Sequence, residues 1–282
     1  MTPRKIHGNA VVHPRAVIGE GAEIGPFCVV GEHVRIGART RLLAHVVVNG
    51  HTTIGEESII YPFVTLGLPS QDRKYLGEVS YTKVGDRTTL REFVSVHRAT
   101  GAGEFTSIGD DTLLLAYVHI AHNCRIGNYV TMSSTAQLAG HVMVDDYATL
   151  GGMVGVHQFV RIGKHAMVGG ASKIGRDVPP YLLVAGAPGP ATAGGLNLIG
   201  LRRAGFPPGV MAELKECYKL LYRSHLNTSQ ALDAMRAIVT TDEGREMIDF
   251  VANSKRGITK FTRAMQPRGE TTALDDADSL AG

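Results

Sequence analysis

The chain has 282 residues, 44% hydrophobic and 20% charged, with a formal net charge of +3. That length holds one large or two modest domains with ample core, and so small an excess of positive charge gives no ground for a nucleic-acid-binding function. The opening MTPRKIHGNA lacks the apolar core of a signal peptide, no run of about 18 apolar residues could span a membrane, and Cys28, Cys124 and Cys217 are too scattered for a disulfide framework or a zinc ribbon, so a reducing cytoplasm is the expected compartment.

From Ile6 onward the chain carries a six-residue ruler: Val12, Ile18, Ile24, Val30, Ile36, Leu42, Val48, Ile54, Ile60 and Leu66 follow at equal steps. Asp72 and Glu78 break it, Val84, Leu90 and Val96 resume it, Ala102 breaks it again, and Ile108 to Ile174 fits throughout; 26 of 29 positions are aliphatic, counting Met132. A helix needs a period near 3.6 and an amphipathic strand a period of 2, so neither explains six. The period predicts a parallel β-helix in which each hexad supplies a short strand and a corner, with the aliphatic residue pointing inward onto its equivalents in neighbouring coils. Resemblance to hexapeptide-repeat proteins adds triangular coils of three hexads and left-handed winding, which the period alone does not give. The misfits mark loops ejected near 68–81 and 99–105.

After Ile174 the ruler stops at Pro179–Pro180, and the Gly/Pro/Ala linker AGAPGPATAGG leads into a different texture. FPPGVMAELKECYKLLYRS, NTSQALDAMRAIV and TDEGREMIDFVANS each read as a helix, the second capped by Asn227 or Thr228 and the third begun by Thr241 or Asp242. The expected organisation is therefore a mainly β chain: a β-helix over 1–187, a C-terminal helical domain over 188–264 and a polar, disordered tail over 265–282.

Coils of 18 residues place residues whose numbers differ by 18 in one column. His122, Gly140 and Gln158 share a column, Asn123 and His141 the next, and Ala121, Ala139 and His157 the one on the other side. His119, His122, His141 and His157 then gather along one edge. If the two loops add 12 and 6 residues, the long loop with Gln71, Asp72, Arg73 and Lys74 departs from that same edge. A single histidine at a corner is usually only an exposed polar residue, and Cys124 reads as a packed small residue. Four imidazoles facing a charged loop suit proton transfer, since neutral histidine titrates near physiological pH. A histidine–zinc site is the rival reading of the cluster, and a non-catalytic scaffold gives no reason to eject two loops toward it.

The segments HIAHNC, LAGH, GGMVGVHQF and SQDRKY, with DVPPY and YKLLYRS beyond them, closely resemble the UDP-N-acetylglucosamine O-acyltransferase family over about residues 6–262. The resemblance implies a homotrimer with sites in clefts between subunits, no metal or dissociable cofactor, and transfer of a 3-hydroxyacyl chain from acyl carrier protein to the glucosamine 3-hydroxyl of UDP-N-acetylglucosamine, the opening step of lipid A synthesis. It makes His122 the general base and the Gly140 N–H the oxyanion donor. His119, His141, His157, Gln71, Asp72 and Lys74 then position substrate, and Gln158, Asn197 and Arg203 contact nucleotide or acyl groups. Gly170, the second glycine of MVGG, leaves the acyl groove open, which implies a chain longer than ten carbons. Arg202, Arg203, Lys215 and Lys219 lie just beyond the β-helix and could steer an acidic carrier protein.

Three positions depart from the family pattern. Asn123 stands where several relatives have aspartate, and Ile199 and Ala204 replace an acidic and a basic residue. Some relatives use a 3-amino sugar nucleotide, an alternative the loop LPSQDRKY leaves open. The later N-acyltransferase of the same pathway has an extra N-terminal uridine-binding domain, for which hexads beginning at Ile6 leave no room.

Overall fold

The computed structural model describes residues 3–186 and 190–261. The expected domain boundary at 187/188 and the expected disordered tail at 265–282 both lie outside the described residues.

Three sheets of 11, 9 and 8 short strands form the walls of a left-handed β-helix. Plain coils pair residues 18 apart, as in Ile6 with Ile24 and Ile126 with Val144. Ile60 instead pairs with Leu90 and Leu90 with Leu114, offsets of 30 and 24, so the two loops insert 12 and 6 residues and restore the phase. The strands flanking them are Thr65–Leu68 and Tyr81–Val84 around the long loop, and Ser95–His97 and Phe105–Ile108 around the short one.

Ruler residues build the core as ladders, Leu42, Ile60, Leu90, Leu114, Met132 and Leu150 being almost wholly buried along one wall. Each such side chain contributes roughly 1.5–3 kcal/mol of apolar burial. The period of six names only one inward residue per hexad; the structure adds the position two before it, where Cys28, Val34, Thr40, Val46 and Ser58 are buried too. The hydroxyls there are partnered, with Thr40 donating to the Gly55 carbonyl and Ser58 to that of Gly85. Ile6 departs from expectation at 46% exposed, because its coil has a neighbour on one side only.

Two backbone features let so narrow a coil close. The glycine after a ruler residue faces the next coil, and a Cβ at Gly25 would lie 1.8 Å from the Leu43 carbonyl oxygen. Three residues after the ruler position the chain turns through the left-handed region, which non-glycine residues occupy at a cost of about 1 kcal/mol. Phe27, His45, Asn123, His141 and Phe159 all do so, with φ between 59° and 65°. The coil-to-coil hydrogen bonds hold them there, for example His141 N–H to the His122 carbonyl at 3.0 Å.

Past the last hexad, Leu182–Ala185 continues one wall and pairs antiparallel with Thr192–Leu196, a strand the sequence reading did not anticipate. Among the described residues four helices follow: α1 (Leu198–Arg203), α2 (Pro208–Tyr222), α3 (Thr228–Ile238) and α4 (Asp242–Ala252). The last three are those expected, and α1 is additional. Asn227 caps α3 in a reciprocal box with Gln230, and Thr241 caps α4. Glu213 of α2 locks the α4 entry by accepting from both the N–H and hydroxyl groups of Thr240 and Thr241. Partial burial pulls its carboxyl upward, but these four donors outweigh it and bring it down to about 2. Among the described residues, no helix is long and apolar enough to cross a membrane.

Candidate active site

The two loops fold onto one corner of the prism and onto each other. Ser70 and Thr100 share a hydroxyl hydrogen bond of 2.7 Å, Gly101 N–H donates to the Glu78 carboxylate at 2.7 Å, and Gly103 N–H donates to the Val79 carbonyl at 2.9 Å. Arg98 reaches the Gly67 carbonyl and His97 Nδ1 lies 2.8 Å from the Pro69 carbonyl, which pins the base of the long loop.

The short loop also fixes the side chain of Asn123. Thr100 N–H donates to Asn123 Oδ1 at 3.0 Å, and Asn123 Nδ2 donates to the Thr100 carbonyl at 3.1 Å. This pair of hydrogen bonds to the backbone N–H and carbonyl of one residue decides which end of the amide is oxygen. The same Oδ1 lies 2.9 Å from His122 Nδ1, and an amide oxygen only accepts. His122 Nδ1 therefore carries the proton in the neutral ring, and Nε2 is left with its lone pair.

That free nitrogen meets Gly140 and Asp72. A Cβ on Gly140 would lie 2.5 Å from His122 Nε2 and Cε1, so only glycine lets the ring lie against this backbone. Gly140 is buried, and its N–H donates to no acceptor among the described residues. An N–H without an acceptor beside a candidate base is placed to receive charge that develops there. Asp72 Oδ2 stands 4.0 Å from His122 Nε2, while its other oxygen accepts from the Lys74 N–H. Asn123 cannot neutralise an imidazolium, whereas Asp72 can. The His141 ring meets that of His122 edge-on at 5.2 Å and stacks on Phe159 at 4.6 Å; burial, then the neighbouring His122, holds its pKa below the ordinary histidine value.

The other expected residues divide. His119 is on the adjoining wall, with Nδ1 2.8 Å from the Ser95 hydroxyl and its ring 5.4 Å from that of His97; burial, then His97, depresses its pKa. His157 and Gln158 are exposed further along the corner, as are Gln71 and Lys74 on the long loop. Asn197 spends its side chain on structure, capping α1 at Gly200 N–H and donating to the His165 carbonyl. Arg202, Arg203 and Lys215 are exposed, while Lys219 pairs with Glu216 at 2.7 Å. Gly170 belongs to a different corner, stacked over Gly152. Cys124 is packed, its thiol donating to the Ala139 carbonyl and pushed up to about 12 by burial. Among the described residues no three His, Cys, Asp or Glu side chains are grouped to hold a metal ion.

His97 and Thr100 escaped the sequence reading. His97 carried a usable signal: adding the short loop's six residues to the coil length puts it in the column of Ala121, Ala139 and His157. Thr100 acts through its backbone, so its residue type carried none.

Residues 105–140 match the family model described as bacterial transferase hexapeptide (six repeats), and residues 177–259 that described as Udp N-acetylglucosamine O-acyltransferase, Domain 2. The chain is 42% identical over 258 residues to the acyl-[acyl-carrier-protein]–UDP-N-acetylglucosamine O-acyltransferase of Syntrophobacter fumaroxidans, covering 91% of this chain and 100% of that one. The protein of the same description from Thermodesulfovibrio yellowstonii is 45% identical over 258 residues, covering 91% and 99%. The crystal structure of UDP-N-acetylglucosamine acyltransferase from Francisella novicida superposes with a TM-score of 0.87 at 38% identity, covering 94% of this chain and all of that one.

Proposed function

This chain belongs to the acyl-[acyl-carrier-protein]–UDP-N-acetylglucosamine O-acyltransferase family and is an enzyme of that reaction, and we propose that His122 carries its proton transfer. A sugar hydroxyl is a weak nucleophile at neutral pH, so it must lose its proton as it attacks the thioester carbonyl. His122 Nε2 takes that proton. The tetrahedral intermediate places negative charge on the former carbonyl oxygen, which the Gly140 N–H receives. Collapse breaks the carbon–sulfur bond, and the leaving thiolate of the carrier takes the proton back from the imidazolium. Asp72 stabilises the imidazolium while it lasts. The observation that carries this assignment is the hydrogen bond from His122 Nδ1 to an amide oxygen already fixed by Thr100.

The finer identity of the substrates follows from the family resemblance: a 3-hydroxyacyl donor, the glucosamine 3-hydroxyl as acceptor, and a cytoplasmic first step of lipid A synthesis. His119, His141, His157, Gln158, Gln71 and Lys74 line or approach the corner and serve positioning. Asn197 acts by holding α1, which carries Arg202 and Arg203 on the exposed surface where an acidic carrier would dock.

A homotrimer completes the site. An exposed stack of rings, Phe27, His45, Phe63, Phe93 and Tyr117, runs along the Gly170 corner with centroids 4.7–5.0 Å apart. Phe27 is 53% and Tyr117 54% exposed in the lone chain, an apolar ridge suited to burial against another copy. Such packing brings a neighbour's Gly170 toward the His122 corner, where it borders the acyl groove.

Mass spectrometry of the sugar nucleotide after incubation with a panel of acyl carrier protein thioesters tests the whole reading. An O-acylated UDP-N-acetylglucosamine, with a 3-hydroxyacyl chain preferred, is expected. Acylation only of a 3-amino sugar nucleotide would replace the acceptor, and no acylation would remove the assignment.

A further inference from the structure

Beside His141 a groove of about 900 Å³ runs from the His122 corner to the end of the helical region, and four cations line it: Arg125, Arg161, Lys255 and Arg256. Arg125 and Arg161 stand on one wall two rungs apart, with Met143 between them, which spaces them by about 10 Å. Lys255 and Arg256 follow α4 and close the groove from the other side. Among the described residues, none of the four lies within ion-pair distance of a carboxylate. Two carboxylates border the groove, Glu104 and Asp177. Asp177 is buried and already engaged, accepting from the Arg161 N–H at 2.9 Å and the Ser254 hydroxyl at 2.7 Å.

The cations are also held in place. The Arg125 guanidinium lies over the Phe105 ring at 4.5 Å and that of Arg161 over Phe250 at 4.3 Å. Arg256 contacts His157 Nδ1 at 3.3 Å and the Gly175 carbonyl at 3.2 Å, while its Nε is buried with no partner. Cationic side chains fixed around an open groove with no carboxylate in ion-pair distance form an arrangement that an anion completes. Planar guanidinium forks bind phosphate oxygens bidentately, and cations spread along a groove suit a group with several anionic oxygens.

We propose that this groove binds a substrate phosphate, either the diphosphate of the sugar nucleotide or the phosphodiester that links the carrier protein to its thiol arm. The inference rests on the reaction proposed above: a phosphate held here anchors a substrate whose reacting end lies at His122.

The test compares the intact enzyme with the double variant Arg125→Gln/Lys255→Gln, both positions being exposed, after a thermal melt has shown the variant folded. UDP-N-acetylglucosamine is varied in one series; in the other, acyl-phosphopantetheine and acyl-pantetheine serve as small donors. A rise of about tenfold or more in KM for the sugar nucleotide, with kcat little changed, assigns the groove to the diphosphate. Loss of the advantage of acyl-phosphopantetheine over acyl-pantetheine assigns it to the arm. If both KM values stay within about twofold and the phosphate advantage persists, the groove is not a phosphate site. A wild type that turns over neither donor would remove the reaction and not the groove; calorimetry with UDP and with phosphopantetheine on the same two proteins then decides the groove by the same comparison.

Discussion

Two corners of the prism use the same turn and do different things. At one, Phe27, His45, Phe63, Phe93 and Tyr117 stack ring on ring with interplanar angles of 3–16°, each in the left-handed conformation that the coil imposes. At the other, Asn123, His141 and Phe159 occupy equivalent turns, but the stack gives way below His141 to an amide held by the short loop. The repeat supplies identical scaffolding to both. Chemistry arises where the repeat is interrupted: the long loop delivers Asp72, and the short loop, through Thr100, decides which nitrogen of His122 is free.

The largest effect should come from emptying the second corner. His122→Ala removes no ruler residue, so the protein should fold and melt as the wild type does while single-turnover acyl transfer falls about 100- to 10,000-fold, the usual range for loss of a general base. Near-normal transfer by a folded variant would move the base elsewhere.

The scaffold shared by both corners is tested next. Ile126 is 4% exposed within an inward ladder, whereas Arg125 beside it faces out. Ile126→Asp buries an unpaired carboxylate and should cost several kcal/mol, while Arg125→Asp should be mild. Equal melting temperatures for the two variants would mean the register is wrong.

The smallest effect concerns the aromatic corner. A Cβ at Gly170 would lie 3.2 Å from the Gly152 carbonyl oxygen, a tight contact that a shift of a few tenths of an ångström relieves. Gly170→Met should therefore fold, keep activity, and shift donor preference from longer chains toward about ten carbons, as expected if a side chain there closes the far end of a hydrophobic pocket. Unchanged preference in a donor competition assay would separate Gly170 from the acyl groove.

Much of this was legible in the sequence because the fold is a period. Counting in eighteens placed His122 beside Gly140, and the loop lengths of 12 and 6 brought Asp72 to the same corner. What the ruler could not show were features independent of side-chain type. The left-handed turns fall on Phe, His, Tyr and Arg as readily as on Asn, so no residue pattern marks them. Thr100 works through its backbone N–H and carbonyl, and the capping of α1 by Asn197 lies beyond the end of the ruler, where no period points to it. The strand Thr192–Leu196 was hidden by its glycines, which suit a linker as well as an edge strand. The groove cations lie in three separate stretches of sequence that only the packing of α4 against the wall unites.

The account turns on the tautomer of His122, and nitrogen-15 NMR of the histidine rings reads it directly, with His122→Gln used to assign the signal. At a pH where the ring is neutral, Nδ1 should be protonated and Nε2 bare, because the Asn123 amide oxygen accepts from Nδ1. A neutral His122 ring protonated at Nε2 would contradict the account, since the nitrogen facing Asp72 and Gly140 could not then accept a proton from the sugar.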